Sequence, residues 1–337
     1  MSKSKVIFKE NFDCKNLTIN AVLSRVIPIS EFIWNQAGLA IYENENENEN
    51  NLIFTPYYIN DYDHLYNTAN IRRNEYKSPN FKLCLEKIIS ILNSGSSALV
   101  RVDIFALPFN MYYGKHRGPH YIEITHMEHD QFFVCDHFYK YSGLVDITII
   151  AKAMKTRMDF EGNNEYIFYS FNTDGYSFKL DRNYLFKVMS KNNSQILGEG
   201  TVDFFDIPNH KRLVGLKTFD RFDNYLEEHF HQKGPLKDIY KSLFDLSNSR
   251  YHYSKIMSKY KDNYNNLEVI EDLYLASYQK FRIAANLVLK LRASKQERAY
   301  LTNIRDILSS NLNIEREASK LVEDFILKED VPKTFYK

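Results

Sequence analysis

Asp13-Cys14-Lys15-Asn16-Leu17-Thr18-Ile19-Asn20-Ala21-Val22-Leu23-Ser24-Arg25 is a short helix with a cysteine at its start. Leu17, Ala21 and Ser24 fall on one side at helical spacing, with Leu23 close by. Asp13 or Asn11 can cap it, and no proline interrupts before Pro28. Cys14 then sits in the first turn, where unpaired N–H groups and the positive end of the helix dipole favour a thiolate. A thiolate is the usual starting point for covalent acyl chemistry. The alternative is an inert, half-buried cysteine at a helix start, so the rest of the chain must decide.

The 337 residues suggest about two domains, and 44% apolar residues are ample for a core. A formal charge of +1, with Lys and Arg dispersed, argues against nucleic acid or a membrane surface as the main partner. The cysteines are Cys14, Cys84 and Cys135, an odd and widely spaced set with no CxxC. A zinc site or disulfide framework is therefore not expected, and a reducing, cytoplasmic compartment is. No stretch approaches the roughly 20 apolar residues of a membrane span. The 25 tyrosines and 24 phenylalanines must line a core, a pocket or an interface.

Outward from the first helix, Ser30 looks like the cap of a second short helix that ends near Gly38, with Trp34 inside it. The Glu-Asn alternation from Glu43 to Asn50 has no apolar face and reads as a solvated loop or hairpin tip. Leu52 to Ile59 can be a strand, which Pro56 would confine to an edge. Phe81 to Leu92 is an amphipathic helix stopped at Asn93-Ser94-Gly95, with Cys84 in its core face. Ala98 to Phe105 is a strand, followed by an aromatic, glycine-containing loop to Pro119. Val145 to Met158 looks helical, and Glu165–Phe171 with Gly175–Leu180 looks like a further strand pair. From about Asp181 the character changes. Leu236–Lys261, Leu267–Arg292 and Gln296–Leu327 carry apolar residues at helical spacing. This gives a domain at 1–181 and a mostly helical domain at 182–337, expected to cover the active site.

Between them lies a hairpin. His120, Ile122 and Ile124 alternate with Tyr121, Glu123 and Thr125, and Phe132, Val134 and Asp136 share a face of the second strand. A turn centred near Glu128 would set His120 and Asp136 directly opposite each other, unless a bulge intervened. A carboxylate against an imidazole fixes its tautomer and stabilises its protonated form. Cys14, His120 and Asp136 are then the candidate catalytic set. The order Cys, His, Asp suits a papain-like α+β layout. His116, His126, His129 and His137 crowd the same region but lack metal-ligand spacing, so no metal is expected. Cys135 should point to the opposite face from Asp136.

Here a resemblance enters. Asp13-Cys14 opening a helix, Pro28-Ile29-Ser30-Glu31, Gly38, Val102-Asp103 with Leu107-Pro108, Tyr112-Tyr113, Gly118-Pro119-His120 and Val134-Cys135-Asp136 resemble the BtrH-type family. Its members are like the butirosin side-chain acyltransferase and similar in fold to cysteine peptidases. Ser249-Arg250-Tyr251 and the helices after it look like that family's helical domain. The resemblance implies amide formation in specialised-metabolite, nonribosomal peptide-type assembly. An acyl group would leave a carrier-protein thioester, rest on cysteine and pass to an amine, a diamine in one closely related case. It implies an acyl- or peptidyl-carrier protein and a small amine as partners. It implies no cofactor beyond the carrier's phosphopantetheine arm. A cysteine hydrolase, peptidase or thioesterase, would use the same triad, and a non-catalytic carrier-binding module would need none of it. The sequence departs from related peptidases at Phe8, where they carry an oxyanion-donating glutamine. The oxyanion hole would then use the Cys14 N–H with Asn11 or Asn16.

Overall fold

Asp13 starts the first helix: its carboxylate accepts the Asn16 N–H at 2.7 Å while its own backbone is extended. The computed structural model describes residues 5–44, 52–199, 207–264, 266–294 and 297–329. In chain order the elements are α1 (Cys14–Ser24), β1 (Ala40–Asn44), β2 (Leu52–Thr55), α2 (Asp61–Ala69), β3 (Arg72–Ser78), α3 (Phe81–Asn93), β4 (Ala98–Asp103), β5 (Pro119–Glu128) and β6 (Gln131–Asp136). There follow β7 (Tyr141–Asp146), α4 (Ile147–Glu161), β8 (Tyr166–Asn172), α5 (Arg182–Leu197), β9 (His210–Val214), α6 (Thr218–His229), α7 (Lys233–Tyr260), α8 (Leu267–Ala293) and α9 (Glu297–Glu329). The chain is thus mixed α and β, with antiparallel sheets and a helical C-terminal region.

It divides into two compact units. One comprises Met1–Glu31 and Leu65–Phe178; the other comprises Phe32–His64 and Lys179–Lys337. The late boundary falls beside the expected one at 181. Residues 32–64, however, belong with the helical unit rather than with the N-terminal one. The reason is visible in the pairing: β1 runs antiparallel to β9, from Ala40 opposite Val214 to Asn44 opposite His210, so a strand from each end of the chain closes one small sheet.

In the first unit, six strands form one antiparallel sheet in the order β3-β8-β4-β5-β6-β7. Val100, Val102, Ile122, Ile124 and Val134 are buried with Ile88 and Ile91 of α3 and Ile150, Ala153 and Met154 of α4. Burying side chains of this size stabilises by about 1.5–3 kcal/mol each. The helix α1 is buried almost all round, Asn16 and Asn20 included, whereas its sequence pattern suggested a single apolar side.

In the second unit, the sheet β2-β1-β9 shares a core with α5–α9. Leu52 and Phe54 of β2 are buried with Leu243 and Leu246 of α7 and Phe281 of α8. β2 is an edge strand and stops at Thr55, just before Pro56, as a missing N–H requires.

Several boundaries differ from the sequence pattern. The turn at Ser30 is a 3-10 helix ending at Ile33, and Trp34 beyond it is buried. Gly175–Leu180 forms no strand. Instead β8 pairs with β3 along its whole length, from Arg72 opposite Asn172 to Ser78 opposite Tyr166. β3 has no apolar alternation, which is why its residues gave no strand signal. The Glu-Asn run at 45–50 lies outside the described residues. Among the described residues, no helix is long and apolar enough to cross a membrane.

Candidate active site

β5 is the spine of the site. Val102 of β4 pairs with His120 on one side of it, and β6 pairs with it on the other only as far as Glu123 opposite Cys135. The edge of β5 at residues 119–121 lies beyond that ladder, and α1 meets it there. The Cys14 Sγ lies 4.0 Å from the Pro119 carbonyl oxygen, and the sulfur also takes the Tyr121 and Lys15 N–H groups. One turn along, Thr18 Oγ1 donates to the Tyr121 carbonyl at 3.3 Å. At the end of the helix Arg25 reaches Glu123. The helix therefore runs beside β5 with the same polarity and brings its N-terminal sulfur to the backbone on both sides of His120.

His120 and Asp136 are both buried, and His120 Nε2 lies 2.8 Å from Asp136 Oδ2. The other carboxylate oxygen accepts the Tyr139 N–H at 2.9 Å. Both lone-pair sets are thus directed, which fixes the ring and leaves Nδ1 as the nitrogen open to a proton partner. The register is not the one the sequence suggested. The tight turn is at His129–Asp130, and the ladder shifts between Ile124 and His126. Asp136 therefore falls opposite Ile122, and His120 is its diagonal neighbour on the same face.

Cys14 is half-buried, Cys84 and Cys135 buried. Its thiol does not match the expected thiolate. Burial, then the charges of Asp13 and Asp136, push its pKa up to about 12, against the lowering effect of the Tyr121 and Lys15 N–H groups. This environment favours the thiol, so attack requires a base to take its proton. Cys135 belongs to the opposite face, where burial and Glu123 push its thiol up to about 12.

That opposite face holds a second set of charges. Glu123 is fully buried and takes Arg25 Nη2 at 2.6 Å and His137 Nε2 at 2.9 Å, while the Ile7 N–H donates to His137 Nδ1 at 3.0 Å. Burial alone would raise the Glu123 carboxyl, but hydrogen bonds from His137 and Arg25 outweigh it and hold the pKa at about 2. This set ties the N-terminal segment and the end of α1 to β5 and β6.

Of the expected oxyanion donors, Asn16 has its main-chain N–H committed to Asp13. Its side chain leaves the helix two residues on, about 200° around from Cys14, and its Oδ1 is buried without a partner. Asn11 sits just before the cap at φ 62°, in the left-handed region that asparagine tolerates. Phe8 is 44% exposed and carries the Lys140 ammonium 4.0 Å from its ring centroid.

Sequence reasoning missed Tyr139 and Asn110. The Tyr139 ring lies over His120, with centroids 5.0 Å apart. Its phenol is pushed up to about 12 by burial first and then by Tyr112, Asp136 and Cys14, while the Asn110 side chain lowers it. Asn110 sits in the loop between β4 and β5, which Asp103 pins by accepting the Phe105 N–H at 3.0 Å and the Gly118 N–H at 2.9 Å. The Tyr112 N–H donates to Asn110 Oδ1 at 2.9 Å. Asn110 is 5% exposed, and its side chain meets the Tyr139 hydroxyl.

Among the described residues, no group of three or more His, Cys, Asp or Glu side chains is placed to hold a metal ion. His126 stacks on Phe133, His116 lies edge-on to Tyr112, and His129 occupies the tight turn at φ 53°. An open groove between α6 and α9 is lined by Asp223, Glu227, Arg298 and Arg305. Those four already pair with one another. No protein-family model matches the chain, and a search of curated proteins finds no match.

Proposed function

We propose that the protein is an amide-forming acyltransferase with a papain-like Cys-His-Asp triad of Cys14, His120 and Asp136. The single observation that carries this is the buried His120–Asp136 bond at Nε2, with the Cys14 sulfur held by the backbone of residues 119 and 121. In this reading Cys14 attacks the carbonyl carbon of an acyl thioester on the phosphopantetheine arm of a carrier protein. Its proton passes to His120 Nδ1 as the S–C bond forms. The tetrahedral intermediate collapses, the carrier thiolate leaves, and His120 returns the proton to it. An amine then attacks the acyl-Cys14, His120 takes a proton from its nitrogen, and the Cys14 sulfur leaves and recovers that proton. Asp136 holds the ring throughout and stabilises the imidazolium that forms twice per turnover.

A thiol at about 12 is a poor nucleophile until its proton moves. A thioester, more reactive than an amide, suits such a sulfur, and this favours acyl transfer over proteolysis. The test is intact mass after exposure to an acyl-loaded carrier, followed by addition of a diamine. An acyl adduct mapping to Cys14, resolved as an amide, is the expected result. Free acid in place of amide makes the protein a thioesterase. Absence of any adduct overturns the reading.

A further inference from the structure

A thioester on a phosphopantetheine arm brings a phosphodiester with it, so the approach to this site has an anion to receive. Two loops of the first unit frame that approach. The β4–β5 loop runs into Pro119 and His120, and its Tyr112 ring lies edge-on to Tyr139, which covers His120. The β6–β7 turn leaves Asp136 and carries Phe138, whose ring centroid is 6.2 Å from that of His120. The first loop holds Lys115, His116 and Arg117, with no acid between Asp103 and Glu123. The second holds Lys140, with no acid between Asp136 and Asp146. Of the bounding carboxylates, Asp103, Glu123 and Asp136 are buried, and Asp146 caps α4 by accepting the Thr148 N–H at 2.7 Å. The four basic side chains are all exposed. Arg117 lies 5.4 Å over the Phe105 ring, Lys140 4.0 Å over Phe8, and the His116 centroid 5.5 Å from that of Tyr112. Such seats order a cation and leave its charge in place. Met111, 70% exposed, stands among them with exposed Tyr113 and Phe138, and exposed apolar groups in a charged setting mark a contact surface. The neighbouring N-terminal segment is balanced: Lys9 pairs with Glu31 at 2.8 Å, and exposed Lys5 is matched in charge by exposed Glu10. The whole chain carries only +1, so the positive charge here is local.

We propose that Lys115, Arg117 and Lys140 form the docking surface for the carrier protein, receiving the phosphodiester of its phosphopantetheine arm while the thioester reaches Cys14. The proposal rests on the acyl-transfer reading and adds what selects the acyl donor. The three cations act on encounter and retention, because exposed charges at the rim of an interface set association and its salt dependence. Bond making stays with Cys14, His120 and Asp136. A thioester without a phosphate gains nothing from this surface. A phosphorylated one loses its gain in salt, since exposed charges are screened beyond a Debye length of about 8 Å at physiological ionic strength and a shorter one above it.

The probes are three benzoyl thioesters. Those of pantetheine and phosphopantetheine differ by the phosphate alone, and an acyl-carrier protein benzoylated on its arm adds the protein. The readout is the second-order rate constant for acyl-Cys14 formation, followed by rapid-quench intact mass. At low ionic strength the wild type should react about tenfold faster with the phosphopantetheine thioester than with the pantetheine thioester, and faster still with the carrier. Salt at about 0.5 M should remove most of both gains. Lys115→Glu combined with Arg117→Glu, and separately Lys140→Glu, should cut each gain to within about threefold of the pantetheine rate. Wild-type gains in both variants overturn the proposal, as does a wild type that uses the pantetheine and phosphopantetheine thioesters equally well. A variant slowed equally with all three thioesters also overturns it, because a distorted site and not lost docking then explains the loss. In each of these cases acylation of the wild type by the pantetheine thioester leaves the acyl-transfer reading standing. If the wild type forms no acyl-Cys14 with any of the three, both fall together.

Discussion

His120 and Asp136 are diagonal, not opposite, neighbours on the β5–β6 hairpin, and Thr125 is the residue that puts them on one face. From the turn, His126 opposite Phe133 sets a ladder that would carry Asp136 across from Glu123, on the face away from His120. The shift between Ile124 and His126 restores Ile124 opposite Val134 and turns Asp136 back toward His120. A bulge that would have separated a directly opposed pair here brings a misaligned pair together. Asp136→Asn keeps the shape and an acceptor but loses the charge that stabilises the imidazolium. We expect kcat for acyl transfer to fall by about 10²–10⁴ with KM little changed, read by steady-state amide formation.

Cys14 gives a second expectation. Burial and the charges of Asp13 and Asp136 all oppose its ionisation. Asp13→Asn removes one charge while keeping a good helix cap, since asparagine caps about as well as aspartate. The Cys14 pKa should fall, and the pH profile for iodoacetamide labelling should move to lower pH. Labelling at neutral pH should rise roughly two- to tenfold, followed by peptide mass mapping. A profile that stays put would mean the Asp13 charge does not reach the sulfur.

These cases show what the residues alone could and could not say. Cys14 at a capped helix start and the three long C-terminal helices were legible, because caps and 3.6-residue periodicity are local signals. That His120 and Asp136 share a face of one hairpin was legible from period-two alternation. Their register was not, because Thr125 looks like any other strand residue until its partner strand is in place. The helix dipole pointed to a thiolate; burial and the Asp136 carboxylate, which only the fold brings to the sulfur, oppose it together with the neighbouring Asp13. β3 was invisible, since Arg72–Ser78 are polar apart from Tyr76, whose ring alone reaches the core, and the strand is held by pairing with β8. Tyr139 meets His120 and Asn110 through contacts between two loops that no spacing rule connects.

In the helical unit, Arg250 and Glu315 are both fully buried. Arg250 Nε and Nη2 meet the two carboxylate oxygens at 2.8 and 3.0 Å, Ser277 Oγ donates to Glu315 at 2.5 Å, and Arg250 Nη1 donates to the Gly38 carbonyl at 3.2 Å. One guanidinium thus ties α7, α9 and the segment before β1. Glu315→Gln leaves a buried cation uncompensated, and chemical denaturation should show a loss of about 3–5 kcal/mol. Replacing both, as Arg250→Met with Glu315→Leu, should recover part of that loss, because the unpaired charge goes with its partner. A single variant as stable as wild type would show that water reaches the pair.

Glu123 makes stability in acid the clearest electrostatic test. Burial raises its carboxyl, yet hydrogen bonds from His137 and Arg25 hold it at about 2, below its ordinary value of 4.5. A carboxyl whose folded pKa is depressed contributes stability above its unfolded pKa and loses it as protons bind. The contribution is therefore full above about pH 4.5 and gone as pH falls through about 2, and a shift of this size corresponds to about 3 kcal/mol. Urea unfolding followed by fluorescence should show wild-type stability falling steeply across that window. Glu123→Gln should be less stable by about 3 kcal/mol at neutral pH and much flatter between pH 4.5 and 2, so that the two curves converge in acid. Parallel curves across the window would mean that Glu123 does not carry the acid sensitivity, and that the Arg25–Glu123–His137 set is held together by packing rather than by charge.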